Sequence, residues 1–142
     1  GISHIIHLHG ELTKVCSSRD PHNPHYIKEL KPEEYEVKMG DKAGDGTQLR
    51  PFIVWFGEAV PEIETAIQYV EKADIFVIIG TSLAVYPAAS LLHYAPEGIP
   101  VFVIDPKIPQ QAHRMGYHLI EKGASEGVQE LKNILLSETR KA

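Results

Sequence analysis

Asp74-Ile-Phe-Val-Ile-Ile-Gly-Thr-Ser82 is the stretch that decides the fold. Its apolar run does not alternate with polar residues, which is typical of a parallel strand covered on both faces. The run stops at a glycine that is followed by two hydroxyl side chains. In open α/β sheets, ligands bind at the carboxyl ends of the strands. The stretch therefore predicts a parallel sheet with a binding edge.

Helix patterns flank this strand. Residues 61–73 place apolar side chains at helical spacing, with acids in the first turn. Residues 87–95 begin with a proline at the first helical position. Further strands follow at 100–105 and 117–120, and a closing helix follows Gly123. This alternation predicts an α/β fold, part of a Rossmann-like parallel sheet with right-handed crossovers and flanking helices.

A second apolar run, Arg50-Pro-Phe-Ile-Val-Trp-Phe-Gly-Glu58, is predicted to be a buried strand through Trp55 in the same sheet. It stops at Gly57 and a carboxylate, while Gly80 and Asp105 follow two other strands. We expect these strand ends to lie on one side of the sheet, where amides, hydroxyls and an acid suit ribose and phosphate oxygens. The alternative is a core strand that ends in an ordinary turn. The chain has no glycine-rich dinucleotide fingerprint.

The N-terminal part combines a histidine-rich run with a loop-rich insert. Residues 4–10 are predicted to form a short strand in which His7 and His9 share one face. Three interpretations of these histidines stay open: hydrogen-bonded core positions, a functional histidine before a glycine turn, or metal ligands. Residues 11–49 carry turn signals in quick succession. Because Cys16 is the only cysteine, the insert is predicted to be zinc-free. It is predicted to be either loose or packed on a small apolar core of Tyr26, Ile27, Leu30, Tyr35, Val37 and Met39.

The composition is typical of a globular protein. The chain is 43% hydrophobic and 23% charged, and its net charge of -5 argues against a nucleic-acid partner. No apolar run reaches the length of a membrane span. The single cysteine excludes an internal disulfide and suits a reducing compartment, so we expect a cytoplasmic protein. The 142 residues are of single-domain size, although the start at Gly1 suggests a piece of a longer protein.

Six short motifs are distributed over nearly the whole chain, and their order along the chain is informative. They are Leu8-His-Gly10, Leu49-Arg-Pro51, Val54-Trp-Phe-Gly-Glu58, Gly80-Thr-Ser-Leu83, Val85-Tyr-Pro-Ala-Ala89 and Gly123-Ala-Ser125. Each motif is weak by itself, whereas the set is highly specific. In this set the chain resembles the C-terminal half of a sirtuin, an NAD-dependent protein lysine deacylase, of a bacterial type without the zinc cysteines.

The resemblance implies NAD as the cofactor and His9 as the catalytic residue. His9 matches the general base that acts on an NAD ribose hydroxyl, and imidazole is available as a free base near neutral pH. The resemblance also implies cofactor contacts by Gly80, Thr81, Ser82, Asp105, Pro106, Lys107 and Ala124. Asp105 stands where the family usually has asparagine, which adds a negative charge near the cofactor.

The substrate that the resemblance implies is an acyl-lysine peptide or protein. Its acyl group would be transferred to ADP-ribose with release of nicotinamide. The family holds the peptide as an added strand between two segments, a form of β-augmentation. The matching residues in this chain are Val54, Phe56, Gly57, Glu58, Val85 and Tyr86.

The resemblance does not include the N-terminal half of the sirtuin domain, which carries the glycine-rich phosphate loop of the family. We therefore expect the chain to be inactive unless that half is supplied by the same or another polypeptide. Two alternatives remain. One is a non-catalytic half-domain that binds a nucleotide or a peptide. The other is a truncation product that forms homo-oligomers through its open sheet edge.

Overall fold

The computed structural model describes residues 4–81, 86–108, 110 and 112–139. The chain divides into two compact units, Gly1–Glu62 and Ile63–Ala142. The first unit thus contains the whole predicted insert, 11–49, together with the residues on both sides of it. Within the described residues, no helix is long and apolar enough to cross a membrane.

The first unit is built on a three-stranded antiparallel sheet. Its strands are β1 (Gly10–Ser17), β2 (Lys28–Glu29) and β3 (Leu49–Ile53), in the order β2-β1-β3. A short 3₁₀ helix, Pro24–Tyr26, lies between β1 and β2. The buried side chains gather at the end of β1, where Val15, Cys16 and Ser17 are at most 2% exposed. The insert is therefore organised around a strand.

This sheet corrects two strand predictions. Residues 4–9 are irregular, and the strand begins at Gly10 and continues into the predicted loops. Gly10 has a φ of 84°, and a side chain there would overlap the Phe52 carbonyl oxygen, so glycine permits the close pairing of β1 with β3. The predicted buried strand through Trp55 is wrong. The strand ends at Ile53 in this antiparallel sheet, and Trp55 is 54% exposed.

The insert also differs from its predicted apolar core. Tyr35 and Met39 were expected in that core, but they are 63% and 91% exposed. Val15, Cys16 and Ala43 are the buried apolar residues of this region. The reason is that β1 supplies a buried strand end, which leaves the side chains of the following loops in solvent.

The second unit contains a parallel sheet and its helices. Its strands are β4 (Phe76–Ile79), β5 (Val101–Ile104) and β6 (His118–Ile120), in the order β4-β5-β6. Its α-helices are α1 (Ile63–Val70) and α2 (Ala124–Thr139), and its 3₁₀ helices are Ala88–Tyr94 and Ala112–Arg114. The predicted α/β fold with a parallel sheet and flanking helices is confirmed.

The core of this unit surrounds β5, whose side chains point alternately to the two faces of the sheet. One cluster contains Phe102, Ile104, Ile120 and Leu131. The other contains Ile78, Val103 and Ala112. Strand β4 departs from the prediction of a strand covered on both faces, because its Val77 and Ile79 are 37% and 43% exposed.

Candidate functional site

The carboxyl edge of the parallel sheet gathers the predicted cofactor residues of the second unit. Gly80 follows β4, and its N–H donates a hydrogen bond to the Ile104 carbonyl oxygen at 2.9 Å. Asp105 follows β5, and its N–H donates to the Ile120 carbonyl oxygen at 3.3 Å. These bonds align the exits of the three strands. Gly80, Thr81 and Asp105 therefore lie along one edge.

The backbone at this edge leaves room for a ligand. Gly80 has a φ of 64°, and no atom of a described residue lies within 4 Å of the place that a side chain would occupy. The Asp105 carboxylate accepts the Lys107 N–H through Oδ1 at 2.8 Å, which turns the chain away from the sheet. Its Oδ2 has no partner within the described part of the chain. Pro106 and Lys107 are exposed in this turn.

Ala124 is exposed at the first position of α2, and residues 121–123 connect it to the end of β6. The helix approaches β5 closely at Gly127, where a side chain would overlap the Ile104 side chain. This contact holds the beginning of α2 beside the sheet edge. Gly127 was not among the predicted site residues, although a glycine within a helical pattern is a signal of close packing.

The residues at this edge fit the ribose part of NAD. An acidic side chain after a parallel strand commonly accepts hydrogen bonds from ribose hydroxyls, and Asp105 offers the oxygen for it. A glycine turn lets phosphate oxygens approach the backbone, and Gly80 offers that turn. The predicted cofactor residue Ser82 lies outside the described residues.

His9 belongs to the first unit, one residue before β1. Its side chain is exposed, and its carbonyl oxygen accepts the Val54 N–H at 3.0 Å. The Gly10 N–H closes a turn on the His7 carbonyl oxygen at 3.0 Å. The residue that follows β3 thus holds the backbone of His9 at the beginning of β1, while the imidazole of His9 stays open to solvent.

His7 differs from His9 in its surroundings. Its Nε2 lies 3.6 Å from Oε1 of Glu11, and Oε2 of Glu11 accepts a hydrogen bond from Nζ of Lys14 at 2.6 Å. The bond from Lys14 lowers the pKa of Glu11. Both histidines are exposed, so the interpretation of them as core positions is wrong. Among the residues that the structure describes, no group of three or more His, Cys, Asp or Glu is placed to hold a metal.

Residues 54–58 form an exposed turn after β3. The Glu58 N–H donates to the Trp55 carbonyl oxygen at 3.0 Å, and Gly57 has a φ of 89°. Phe56 is 97% exposed. The Glu58 carboxylate pairs with Arg50 at 2.6 Å, and this pairing together with the Trp55 N–H holds the pKa of Glu58 at about 2.

The predicted substrate residues are therefore only partly described. The turn places Val54, Phe56, Gly57 and Glu58 on one short segment. Tyr86 is 68% exposed in the second unit, and Val85 lies outside the described residues. Contact of these side chains with a peptide stays a prediction.

A cavity of about 380 Å³ lies in the first unit. Its lining is mostly apolar and includes Ile5, Leu8, Phe52 and Val54. His22 also lines it and packs edge-on against Phe52, with ring centroids 6.3 Å apart. Of the predicted site residues, Val54 lines this cavity.

A polar cluster around the buried hydroxyl of Ser17 in the insert was not predicted. The Ser17 hydroxyl donates to Asp45 at 2.7 Å and accepts the N–H groups of Arg19 and Asp20 at 3.0 Å each. The Thr47 hydroxyl donates to Asp45 at 2.7 Å. The bonds from Ser17 and Thr47 lower the pKa of Asp45 to about 2. The cluster ties the end of β1 to the loop before β3.

Comparisons with known proteins agree with this geometry. The Sir2 family model matches residues 1–87. The NAD-dependent protein deacylase of Bacteroides thetaiotaomicron is 78% identical over 136 residues, which cover 96% of this chain and 58% of that protein. The protein of the same name from Helicobacter pylori is 44% identical over 131 residues, which cover 92% of this chain and 55% of that protein.

A solved complex of a Sir2 homolog with NAD is 30% identical in sequence and superimposes with a TM-score of 0.76. The match covers 97% of this chain and 53% of that structure. The chain thus spans about half the length of the curated relatives it matches. The family model that matches more than half of its residues, together with this shared fold, shows that the chain belongs to the Sir2 family.

Proposed function

We propose that this chain supplies the C-terminal part of an NAD-dependent protein lysine deacylase. One observation carries the proposal. Gly80, Thr81, Asp105 and Ala124 belong to the carboxyl edge of one parallel sheet, in a chain that is 78% identical to a protein named NAD-dependent protein deacylase. Activity requires a segment equivalent to the part of the relatives that this chain does not match, in the same polypeptide or in another.

The sheet edge is proposed to hold the adenosine side of NAD. Gly80 and Thr81 let phosphate oxygens approach the backbone, and the Asp105 carboxylate accepts ribose hydroxyls through Oδ2. Ala124 places backbone at the beginning of α2 beside the adenine. Bound NAD supplies an electrophilic ribose carbon and nicotinamide as the leaving group.

His9 is proposed to be the general base. Its imidazole has no hydrogen bond within the described residues, so its ring nitrogen is available to take a proton from a ribose hydroxyl. The hydrogen bond between its carbonyl oxygen and the Val54 N–H limits how far the backbone of His9 can move. A positioned side chain of this type contributes about 100-fold to 10,000-fold to a rate.

The substrate is proposed to be a protein segment that carries an acyl-lysine. The exposed turn at Phe56 and Gly57 supports this proposal, because an extended peptide can pair with its free backbone groups. Backbone pairing of this kind supplies affinity with little dependence on the sequence around the lysine.

The test uses the completed protein, which is this chain together with the missing segment from its own source or from the Bacteroides thetaiotaomicron relative. With NAD and an acetyl-lysine peptide, we expect release of nicotinamide and loss of the acetyl group from the peptide. His9→Ala should lower the rate by about 100-fold or more, while the Kd for NAD changes by less than about threefold. His7→Ala is the matched control and should retain activity.

A folded completed protein that releases no nicotinamide would overturn the proposed function. Equal losses of NAD binding and of activity in His9→Ala would show that His9 has a structural role instead. Calorimetric titration with NAD separates these two results, because it needs no turnover.

A further inference from the structure

The carboxylate of Glu58 is turned back onto its own chain. Its Oε1 accepts a hydrogen bond from Nη1 of Arg50 at 2.6 Å. Its Oε2 accepts one from Nη2 of Arg50 at 2.8 Å and one from the Trp55 N–H at 3.0 Å. Two parallel bonds to one guanidinium are the bidentate arrangement, which is stronger and more directional than a single neutral bond. Both carboxylate oxygens of Glu58 therefore accept hydrogen bonds from groups of the same chain.

Arg50 extends this network to the end of β3. Its Nη2 also donates to the Ile53 carbonyl oxygen at 2.6 Å, and its side chain is only 19% exposed. The next residue, Val54, donates its N–H to the His9 carbonyl oxygen at 3.0 Å. The ion pair thus fixes both ends of the turn at 54–58, and the turn is joined to the residue before β1.

The middle of the same turn is open. Phe56 is 97% exposed, and in the described part of the chain no atom lies within 4 Å of the place that a side chain on Gly57 would occupy. Within the described residues, the N–H groups of Phe56 and Gly57 have no hydrogen-bond partner. Packing contributes little to the order of the turn, because Trp55 is also more than half exposed. Hydrogen bonds to Arg50 and Glu58 are therefore its main restraint.

We propose that Arg50 and Glu58 are a positioning pair, which holds residues 54–57 in the shape that pairs with the backbone of an acyl-lysine substrate. This inference rests on the proposed function. A segment that is ordered before the substrate arrives loses less conformational entropy on binding. The pair therefore raises the affinity for the peptide and leaves the affinity for NAD unchanged. Through Val54, it also sets where the peptide lies relative to the backbone of His9.

Two substitutions at Glu58 in the completed protein test this inference. Glu58→Ala should raise the KM for an acetyl-lysine peptide by about fivefold to tenfold and change the KM for NAD by less than about twofold. Glu58→Gln should have a smaller effect, because an amide oxygen can still accept the Trp55 N–H. The matched control is Glu36→Ala, since Glu36 pairs with Lys38 at 3.4 Å on the same unit and its side chain is 77% exposed.

Amide hydrogen exchange supplies a readout that does not depend on activity. The Trp55 N–H should exchange about tenfold faster in Glu58→Ala than in the wild type or in Glu36→Ala. An unchanged peptide KM, or equal rises in the KM for the peptide and for NAD, would overturn the positioning role. If the wild type releases no nicotinamide, the proposed function is wrong, but this result does not decide the positioning role of Arg50 and Glu58. Binding of the acetyl-lysine peptide without turnover then decides the positioning role, which is wrong if Glu58→Ala binds the peptide as tightly as the wild type does.

Discussion

Replacing Ser17 with alanine tests whether the polar cluster stabilises the first unit. The Ser17 hydroxyl is fully buried, and it donates to Asp45 at 2.7 Å. It also accepts the N–H groups of Arg19 and Asp20 at 3.0 Å each. Alanine removes a hydrogen bond to a charged group and the acceptor of two N–H groups. The loss of stability in Ser17→Ala should therefore exceed the loss caused by an ordinary surface substitution.

The size of the loss follows from these three bonds. A hydrogen bond to a charged group contributes about 1.5–3 kcal/mol. The N–H groups of Arg19 and Asp20 lose their acceptor in Ser17→Ala. Because both residues are exposed, water can replace part of these two hydrogen bonds, and their loss adds about 0.5–1 kcal/mol to the destabilisation. We expect Ser17→Ala to lower the free energy of unfolding of the first unit by about 2–4 kcal/mol. Ser18→Ala is the matched control. Because Ser18 is exposed, this substitution should lower the free energy of unfolding by less than about 0.5 kcal/mol.

The only tryptophan, Trp55, lies in the first unit, so its fluorescence during a denaturant titration reports the unfolding of that unit. The pH dependence gives a second check. The folded pKa of Asp45 is about 2, and its usual value is 3.8. A carboxyl group with a lowered pKa stabilises the folded state above its unfolded pKa, and this stabilisation is lost as the pH falls through the folded pKa. The difference between Ser17→Ala and Ser18→Ala should thus shrink from about pH 4 to about pH 2. Equal stabilities of the two variants near pH 7 would refute the reasoning.

Three further predictions concern other parts of the chain. Gly127→Ala should lower the free energy of unfolding of the second unit by about 1–3 kcal/mol, because the added methyl group overlaps the Ile104 side chain. Thermal denaturation followed by circular dichroism checks this against Gln129→Ala at an exposed position of α2, and equal melting temperatures would contradict it. Cys16 should resist alkylation until denaturant is added, since its thiol is fully buried and burial raises its pKa; mass spectrometry that finds rapid labelling of the folded chain would contradict this. Elemental analysis should find no stoichiometric zinc, and one equivalent per chain would overturn the zinc-free prediction for the insert.

The second unit was largely predictable because its signals are local. Strands β4 and β5 are continuous apolar runs, and each is followed by a residue that interrupts the strand, Gly80 or Asp105. Helix α1 has apolar residues at helical spacing. Patterns of this kind depend on the neighbouring few residues, so they can be recognised without knowledge of the tertiary contacts.

The first unit was harder to predict because its order comes from distant contacts. Strand β1 carries Glu11 and Lys14, residue types that are depleted in strands, and it ends in a buried serine. It is stable as a strand because β3 pairs with it across the loops of the insert. Strand formation depends on such cross-strand neighbours more than on intrinsic propensity.

Some of the predicted site residues could be placed from local patterns, whereas others depend on tertiary contacts. Gly80 and Asp105 could be placed at one sheet edge because parallel strands end on the same side. The partner of Glu58 could not be predicted, since it depends on the path of the backbone between the two residues. Its role as a direct peptide contact stays a prediction, whereas its hydrogen bonds within the turn are visible only in the structure.

By itself, the sequence determined the α/β class, the residues at the ends of the parallel strands and the motif order that resembles the sirtuins. These features depend on residue type and spacing along the chain. Only the tertiary structure decided that the run from Arg50 to Glu58 leaves the strand at Ile53 and closes on itself. A guanidinium and a carboxylate eight residues apart have many possible arrangements, and the turn at 54–58 brings them within 2.6 Å.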